Sequence, residues 1–172
     1  MVISGDKISL RFAHESDVRK IIFWENEDEN GYTNLYHDKL LIADVLNWVK
    51  SRKNNLSDEL ELRFIICEKG REEGIGAIDL FEFDKKEKAV GIGLIVEKEF
   101  RKRGVATEAL QMLVQYCLVN FDIKTFWCYV HKQNAPSLSL FLKCGFKISD
   151  KISHHDLKRE MLFLQLNYTK IV

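Results

Sequence analysis

Proline is almost missing from this chain: Pro136 is the only one in 172 residues. No Pro-rich hinge, low-complexity tract, internal repeat or long linker divides the sequence, so residues 1–172 read as one domain. That length suffices for a real hydrophobic core. Charge of one sign is lacking as well. Lys plus Arg and Asp plus Glu stand at 26 each, so no global field favours nucleic acid. No apolar run approaches the length of a membrane helix, and the N-terminus has no signal-peptide pattern. A cytoplasmic protein with neither a membrane nor a nucleic-acid partner is expected. Cys67, Cys117, Cys128 and Cys144 form no Cys-x-x-Cys pair, and no histidine completes a zinc pattern, so reduced, partly buried thiols and no metal are expected. His154 and His155 are adjacent and read as a solvated turn. The three spaced glycines of a dinucleotide fingerprint and the Gly-Lys-Ser/Thr of a P-loop are both absent.

What the chain does have is alternation between helical and strand periods. Lys7 to Phe12 reads as a strand. Ser16 or Asp17 caps a helix through Trp24, and Leu41 to Lys53 reads as a second helix ending in a connector at Asn54–Asp58. The acidic stretch from Glu25 to Gly31 reads as a loop. Strands follow at Leu62–Cys67, Ile75–Phe83 and Ala89–Val96, the first two joined by a hairpin turn at Lys69–Gly74. A helix carrying Ala109, Leu110, Leu113, Val114, Cys117 and Leu118 comes next, then a strand over Thr125–Val130. A short helix begins near Pro136 and stops at Gly145. Strands near Phe146–Ile152 and Glu160–Leu166 complete the order βααβββαβαββ, an α/β (α+β) pattern.

The densest chemistry lies between Val96 and Leu110. A strand ends in a charged turn, and Gly104 and Ala106 open an amphipathic helix. Such a junction leaves backbone N–H groups unpaired and adds the positive end of the helix dipole, which together suit a pyrophosphate. Arg101, Lys102 and Arg103 surround it with positive charge, although alone they read as a solvated basic turn.

The pattern Arg101-x-x-Gly104-x-Ala106 on a strand–turn–helix resembles the coenzyme A pyrophosphate loop of the GNAT N-acetyltransferase superfamily. A second motif follows in order: Asn134-Ala-Pro-Ser137-x-x-x-Phe141-x-x-x-Gly145-Phe146 resembles the superfamily's Asn-x-x-Ser-x-x-x-Tyr-x-x-x-Gly-Phe helix. Leu10-Arg11, Asp17 and Trp24 resemble its ribosomal-protein and polyamine acetyltransferase branch. The resemblance implies a central mixed, mostly antiparallel sheet of about seven strands flanked by about four helices. It implies acetyl-CoA as cofactor, direct acetyl transfer to a primary amine such as a polyamine, a peptide N-terminus or another small amine, and room for a homodimer by fold analogy.

It also assigns roles. Leu94, Ile95 and Val96 would border the pantetheine arm, with the Val96 N–H facing the oxyanion. The pyrophosphate contacts fall near Arg101, Lys102, Arg103, Gly104, Val105 and Ala106, with Thr107 following. Asn134 and Ser137 match positions that touch the pantetheine or its waters, Phe141 is counted with them among the coenzyme-binding residues, and Asn134 is also a helix cap. Two positions depart from the pattern. Where many relatives carry glutamate, thirteen residues before the loop glycine, stands Gly91, and the frequent tyrosine acid is Phe141. The alternative to an enzyme is therefore an acyl-CoA-binding module. Asp79, interrupting the apolar strand Ile75–Phe83, is the substitute candidate for general base, because a carboxylate on an apolar strand face suits proton abstraction. The competing reading is that it anchors a neighbouring turn. Glu82 reads as solvated, or as a hold for a cation at the sheet edge, and Tyr129 and His131 are further candidates. Trp24, Glu25, Glu27, Asp28, Glu29, Tyr32 and Tyr36 form an acidic and aromatic group suited to a cationic amine.

Overall fold

Hydrophobic alternation at two periods builds the molecule, seen here in a computed structural model that describes residues 2–26, 39–149 and 160–168. The strands are β1 (Val2–Ser4), β2 (Ile8–Phe12), β3 (Leu62–Glu68), β4 (Gly74–Asp84), β5 (Ala89–Val96), β6 (Thr125–His131), β7 (Lys147–Ile148) and β8 (Met161–Asn167). The helices are α1 (Val18–Asn26), α2 (Ile42–Ser51), α3 (Leu56–Glu59), α4 (Val105–Asn120) and α5 (Ala135–Lys143). One sheet runs β1-β2-β3-β4-β5-β6-β8-β7. Every neighbouring pair is antiparallel except β5 with β6, which the crossover through α4 makes parallel.

The described residues thus hold eight strands and five helices rather than about seven and four. The additions are the three-residue β1, paired with β2 through the turn at Gly5, and the single turn α3. That turn lies where the sequence suggests only a connector, and Asn55 caps it by accepting from Ser57 N at 3.0 Å. β7 covers only Lys147–Ile148 of the strand expected from Phe146, while β8 matches the expected Glu160–Leu166 shifted by one residue. Residues 150–152, His154, His155, Glu27, Asp28, Glu29, Tyr32 and Tyr36 lie outside the described residues.

Two cores form on the two faces. Phe64, Ile66, Ile78, Leu80, Val90 and Ile92 point to the α4 face and pack with Leu110, Leu113, Phe126 and Phe146. The opposite face carries Ile65, Cys67 and Ala77 beneath Val18, Ile21, Trp24, Val45 and Val49 of α1 and α2. Cys67, Cys117 and Cys128 are buried and unbridged, and burial pushes all three thiols up, which leaves them inert. Among the described residues no helix is long and apolar enough to cross a membrane.

Candidate active site

The parallel pair is where the sheet opens. Pairing between β5 and β6 covers only Ala89↔Thr125, Val90↔Phe126 and Gly91↔Trp127. Beyond it, β5 stays with β4 up to Val96, and β6 stays with β8 up to His131. A wedge therefore opens between residues 92–96 and 128–131.

The backbone groups facing that wedge follow from the ladder. Glu97 N donates to Ile75 O at 2.9 Å, so 97 and 75 are a bonded pair and Gly76↔Val96 a non-bonded one. Bonding alternates along an antiparallel ladder. The polar groups of Ile95 and Gly93 are consequently spent on β4, while those of Leu94 and Val96 turn toward the wedge. The Val96 carbonyl accepts from Arg101 Nε at 2.8 Å. The Val96 N–H and both groups of Leu94 remain aimed into the opening.

The charged turn closes the end of β5. Lys98–Phe100 form a 3-10 turn, Arg101 N donates to Lys98 O at 3.3 Å, and the Arg103 guanidinium lies 5.4 Å from the Phe100 ring centroid. Arg101 is therefore a strut, its N–H and its Nε both committed within the turn. Gly104 takes φ +84°, a left-handed conformation that suits glycine, and starts α4. The first bond of the helix runs from Glu108 N to Gly104 O at 3.0 Å, so the N–H groups of Val105, Ala106 and Thr107 precede every intrahelical acceptor. Lys102, also at positive φ, and Arg103 are exposed beside them. One cation was invisible in the motif. Lys7, on the turn before β2, is fixed by its N–H to Glu108 Oε1 at 2.9 Å, and its Nζ stands 3.7 Å from where a Cβ on Gly104 would be.

At the other side of the wedge, Asn134 caps α5 through Oδ1, which accepts from Ser137 N at 3.2 Å. Both residues are half-buried. Phe141 is 5% exposed and packs edge-on against Phe146 with centroids 5.1 Å apart, so it belongs to the core.

Asp79 departs from expectation. It is not isolated among apolar groups: Arg63, its register partner on β3, donates from Nε to Oδ1 and from Nη2 to Oδ2, each at 2.8 Å. Arg63 Nη2 also donates to Glu25 Oε1 at 2.6 Å. Burial by itself would lower the guanidinium's pKa, but Asp79 and then Glu25 outweigh it and hold it above the ordinary value. Both carboxylate oxygens of Asp79 are thus engaged by one guanidinium in a bidentate pair. The partner is a residue of the adjacent strand rather than of a neighbouring turn. Glu82, exposed at φ +50°, sits in the bulge between Phe81 and Asp84. Trp24 is buried and donates Nε1 to Glu97 Oε1 at 3.0 Å, where Lys20 Nζ also donates at 3.1 Å. This pair ties α1 to the end of β5, a link that only the fold reveals.

A parted parallel pair with a helix N-terminus at its mouth offers backbone groups to an extended ligand with an anionic end. The family model "Acetyltransferase (GNAT) domain" matches residues 7–147, and the chain belongs to that family. It is an N-acetyltransferase, and acetyl-CoA is its acetyl donor. Spermidine N(1)-acetyltransferase of Escherichia coli is 20% identical over 151 residues, 87% of this chain and 73% of its own length. An N-acetyltransferase 9-like protein of Caenorhabditis briggsae is 32% identical over 109 residues, covering 56% of this chain and 54% of that protein. Among solved structures, the ribosomal alpha-N-protein acetyltransferase RimL in complex with coenzyme A superposes at TM-score 0.80. It has 15% identity over 97% of this chain and 98% of its own.

Proposed function

We propose that this chain moves the acetyl group of acetyl-CoA to a primary amine by direct attack, the amine approaching from the sheet face that bears Asp79 and Phe81. One observation carries the reading: backbone groups of Leu94 and Val96 turn into a wedge whose mouth holds the unbonded N-terminus of α4. Bound acetyl-CoA supplies a thioester carbonyl open to attack. In this reading the polar groups of Leu94 hold the pantetheine arm, Ile95 contributes only its side chain, and the Val96 N–H steadies the charge developing on the carbonyl oxygen. The N–H groups of Val105, Ala106 and Thr107 meet the pyrophosphate, and Lys7, Lys102 and Arg103 surround it with positive charge. Gly104 keeps that approach clear. Arg101 fixes the turn from behind, Asn134 and Ser137 border the arm from α5, and Phe141 packs beneath them.

An ammonium with a pKa near 10 must lose a proton before it attacks. Asp79, already paired with Arg63, is suited to holding the ammonium in place, and the proton leaves through water. Asp79→Asn then raises the acceptor KM and leaves the pH–rate profile unchanged in shape, whereas loss of its acidic limb would restore Asp79 as base. Thiol release with acetyl-CoA against an amine panel, beside a thermal-shift titration with coenzyme A, tests the whole reading. The expected result is a coenzyme-induced rise in Tm, weaker in Lys7→Ala, and release with one class of amine. A coenzyme shift with no release would favour a binding module. Absence of any shift would remove the wedge from the coenzyme role.

A further inference from the structure

On the face that α1 and α2 cover over β3 and β4, the sheet continues into a different surface. Burial alternates strictly along β6: Phe126, Cys128 and Val130 are buried, while Thr125, Trp127, Tyr129 and His131 are half-buried on the other side. Beside them β5 presents Gly91 and Gly93, which have no side chains, and β4 presents Asp79 and Phe81. The result is a trough floored by β5. Its inner end is shut, since a Cβ on Gly91 would stand 2.5–2.8 Å from the Phe81 ring. At Gly93 there is room. A Cβ there would lie 3.7 Å from Phe81 Cε1 and 3.8 Å from Asp79 Oδ2, both ordinary contacts. A ligand group over Gly93 touches a ring and a carboxylate at once.

The wall is aromatic without a break. Phe81 meets Trp127 edge-on at 5.1 Å, Trp127 meets Tyr129 at 5.4 Å, and Phe163 of β8 lies 5.9 Å from Trp127 and 5.3 Å from Tyr129. These half-buried rings stand outside both buried cores. Beside them Asp79 offers a carboxylate at the Gly93 position and, like Glu25, pairs with the guanidinium of Arg63. A wall of rings favours an amine that itself carries a ring. The trough runs directly into the wedge beside residues 94–96, so an amine seated there is next to the coenzyme site proposed above.

We infer that the acceptor is a ring-bearing primary amine, its ammonium over Gly93 against Asp79 and its ring stacked on Phe81, Trp127, Tyr129 and Phe163. This rests on the acetyl-transfer reading. Arylalkylamines and amino sugars share this chemistry, since aromatic walls stack both flat rings and the apolar face of a pyranose. The test compares phenethylamine, tryptamine, glucosamine and spermidine as acceptors. One of the ring-bearing amines should exceed spermidine in kcat/KM by at least tenfold, and which one leads separates aryl from sugar. In Gly93→Ala a methyl group occupies the ammonium's seat without a clash, so the acceptor KM should rise by roughly tenfold while the coenzyme-induced Tm shift stays as in the wild type. Trp127→Leu should do the same. Binding is read independently of turnover by quenching of tryptophan fluorescence on titrating the ring amine, an effect weakened in Gly93→Ala. A preference for spermidine, or an unchanged acceptor KM in Gly93→Ala, would overturn the inference. Failure of coenzyme to shift Tm, with fluorescence quenching intact, would instead count against the acetyl-transfer reading alone.

Discussion

Gly91 stands where the motif resemblance implies a glutamate, and its neighbour across the ladder explains why this chain has no side chain there. Phe81 pairs with Gly91 in register, and its ring fills the space that a Cβ would need. A glutamate at 91 therefore forces the Phe81 ring to move. Gly91→Glu should cost about 1–3 kcal/mol, the usual scale of overpacking. Adding Phe81→Ala should recover much of that, so that chemical denaturation of the double variant shows a clear favourable coupling rather than the sum of two losses. Additive losses would mean that the ring is not the obstacle. The glycine was legible in the sequence, but its cause was not, because only strand register brings Phe81 over it. The ion pair of Asp79 was hidden for the same reason. The strand around it is apolar, yet its partner Arg63 sits on β3, joined by a register that no spacing within β4 reveals. Lys7 likewise reaches Gly104 only because α4 packs over the β1–β2 turn. The helix start at Gly104 and the cap at Asn134 were legible because each depends on local chain geometry.

Between elements, the join of β2 to α1 depends on one buried ion pair. Arg11 donates to Asp17 at 2.7 and 2.8 Å and to Glu72 O at 2.6 Å, while His14 N donates to Asp17 Oδ2 at 2.8 Å. One carboxylate thus organises the strand end, the helix start and the β3–β4 hairpin. Burial alone would raise the Asp17 pKa, but the Arg11 bond and the His14 N–H outweigh it and hold the carboxyl below its ordinary 3.8. The folded value lies below the unfolded one, so the contribution is complete above the unfolded value and is lost as pH falls through the folded one. Asp17→Asn should remove about 3 kcal/mol at neutral pH by leaving Arg11 buried without a counter-charge. It should also flatten the stability profile below pH 4 relative to wild type. Equal acid slopes in urea titrations of the two proteins would assign the acid sensitivity to other carboxylates. Elements of several turns or five strand residues announced themselves through periodicity. The three-residue β1 and one-turn α3 did not, because so few positions fit either period.

Across the whole molecule, the sheet is parted while the core beneath it is continuous. Ile8 and Phe64 on one side of the wedge share a buried cluster with Phe126 and Leu164 on the other, so α4 and the core hold the halves together where the ladder does not. A ligand that fills the wedge replaces missing ladder bonds without rearranging the core. At a coenzyme concentration of 100 times Kd, linkage alone gives about 2.7 kcal/mol, or a Tm rise of roughly 5–10 °C for a chain of this size. Where that stabilisation appears is the sharper test. Amides of Gly93 and Ile95 are already bonded to β4, whereas those of Leu94 and Val96 face the wedge. Hydrogen exchange resolved by residue should therefore show a two-residue alternation. Coenzyme A slows exchange at Leu94 and Val96, and at Val105 to Thr107 at the start of α4, while Gly93 and Ile95 change far less. Uniform slowing along all of β5 would mean that coenzyme acts by general stiffening of the domain, and the wedge would lose its role as the seat of the pantetheine arm.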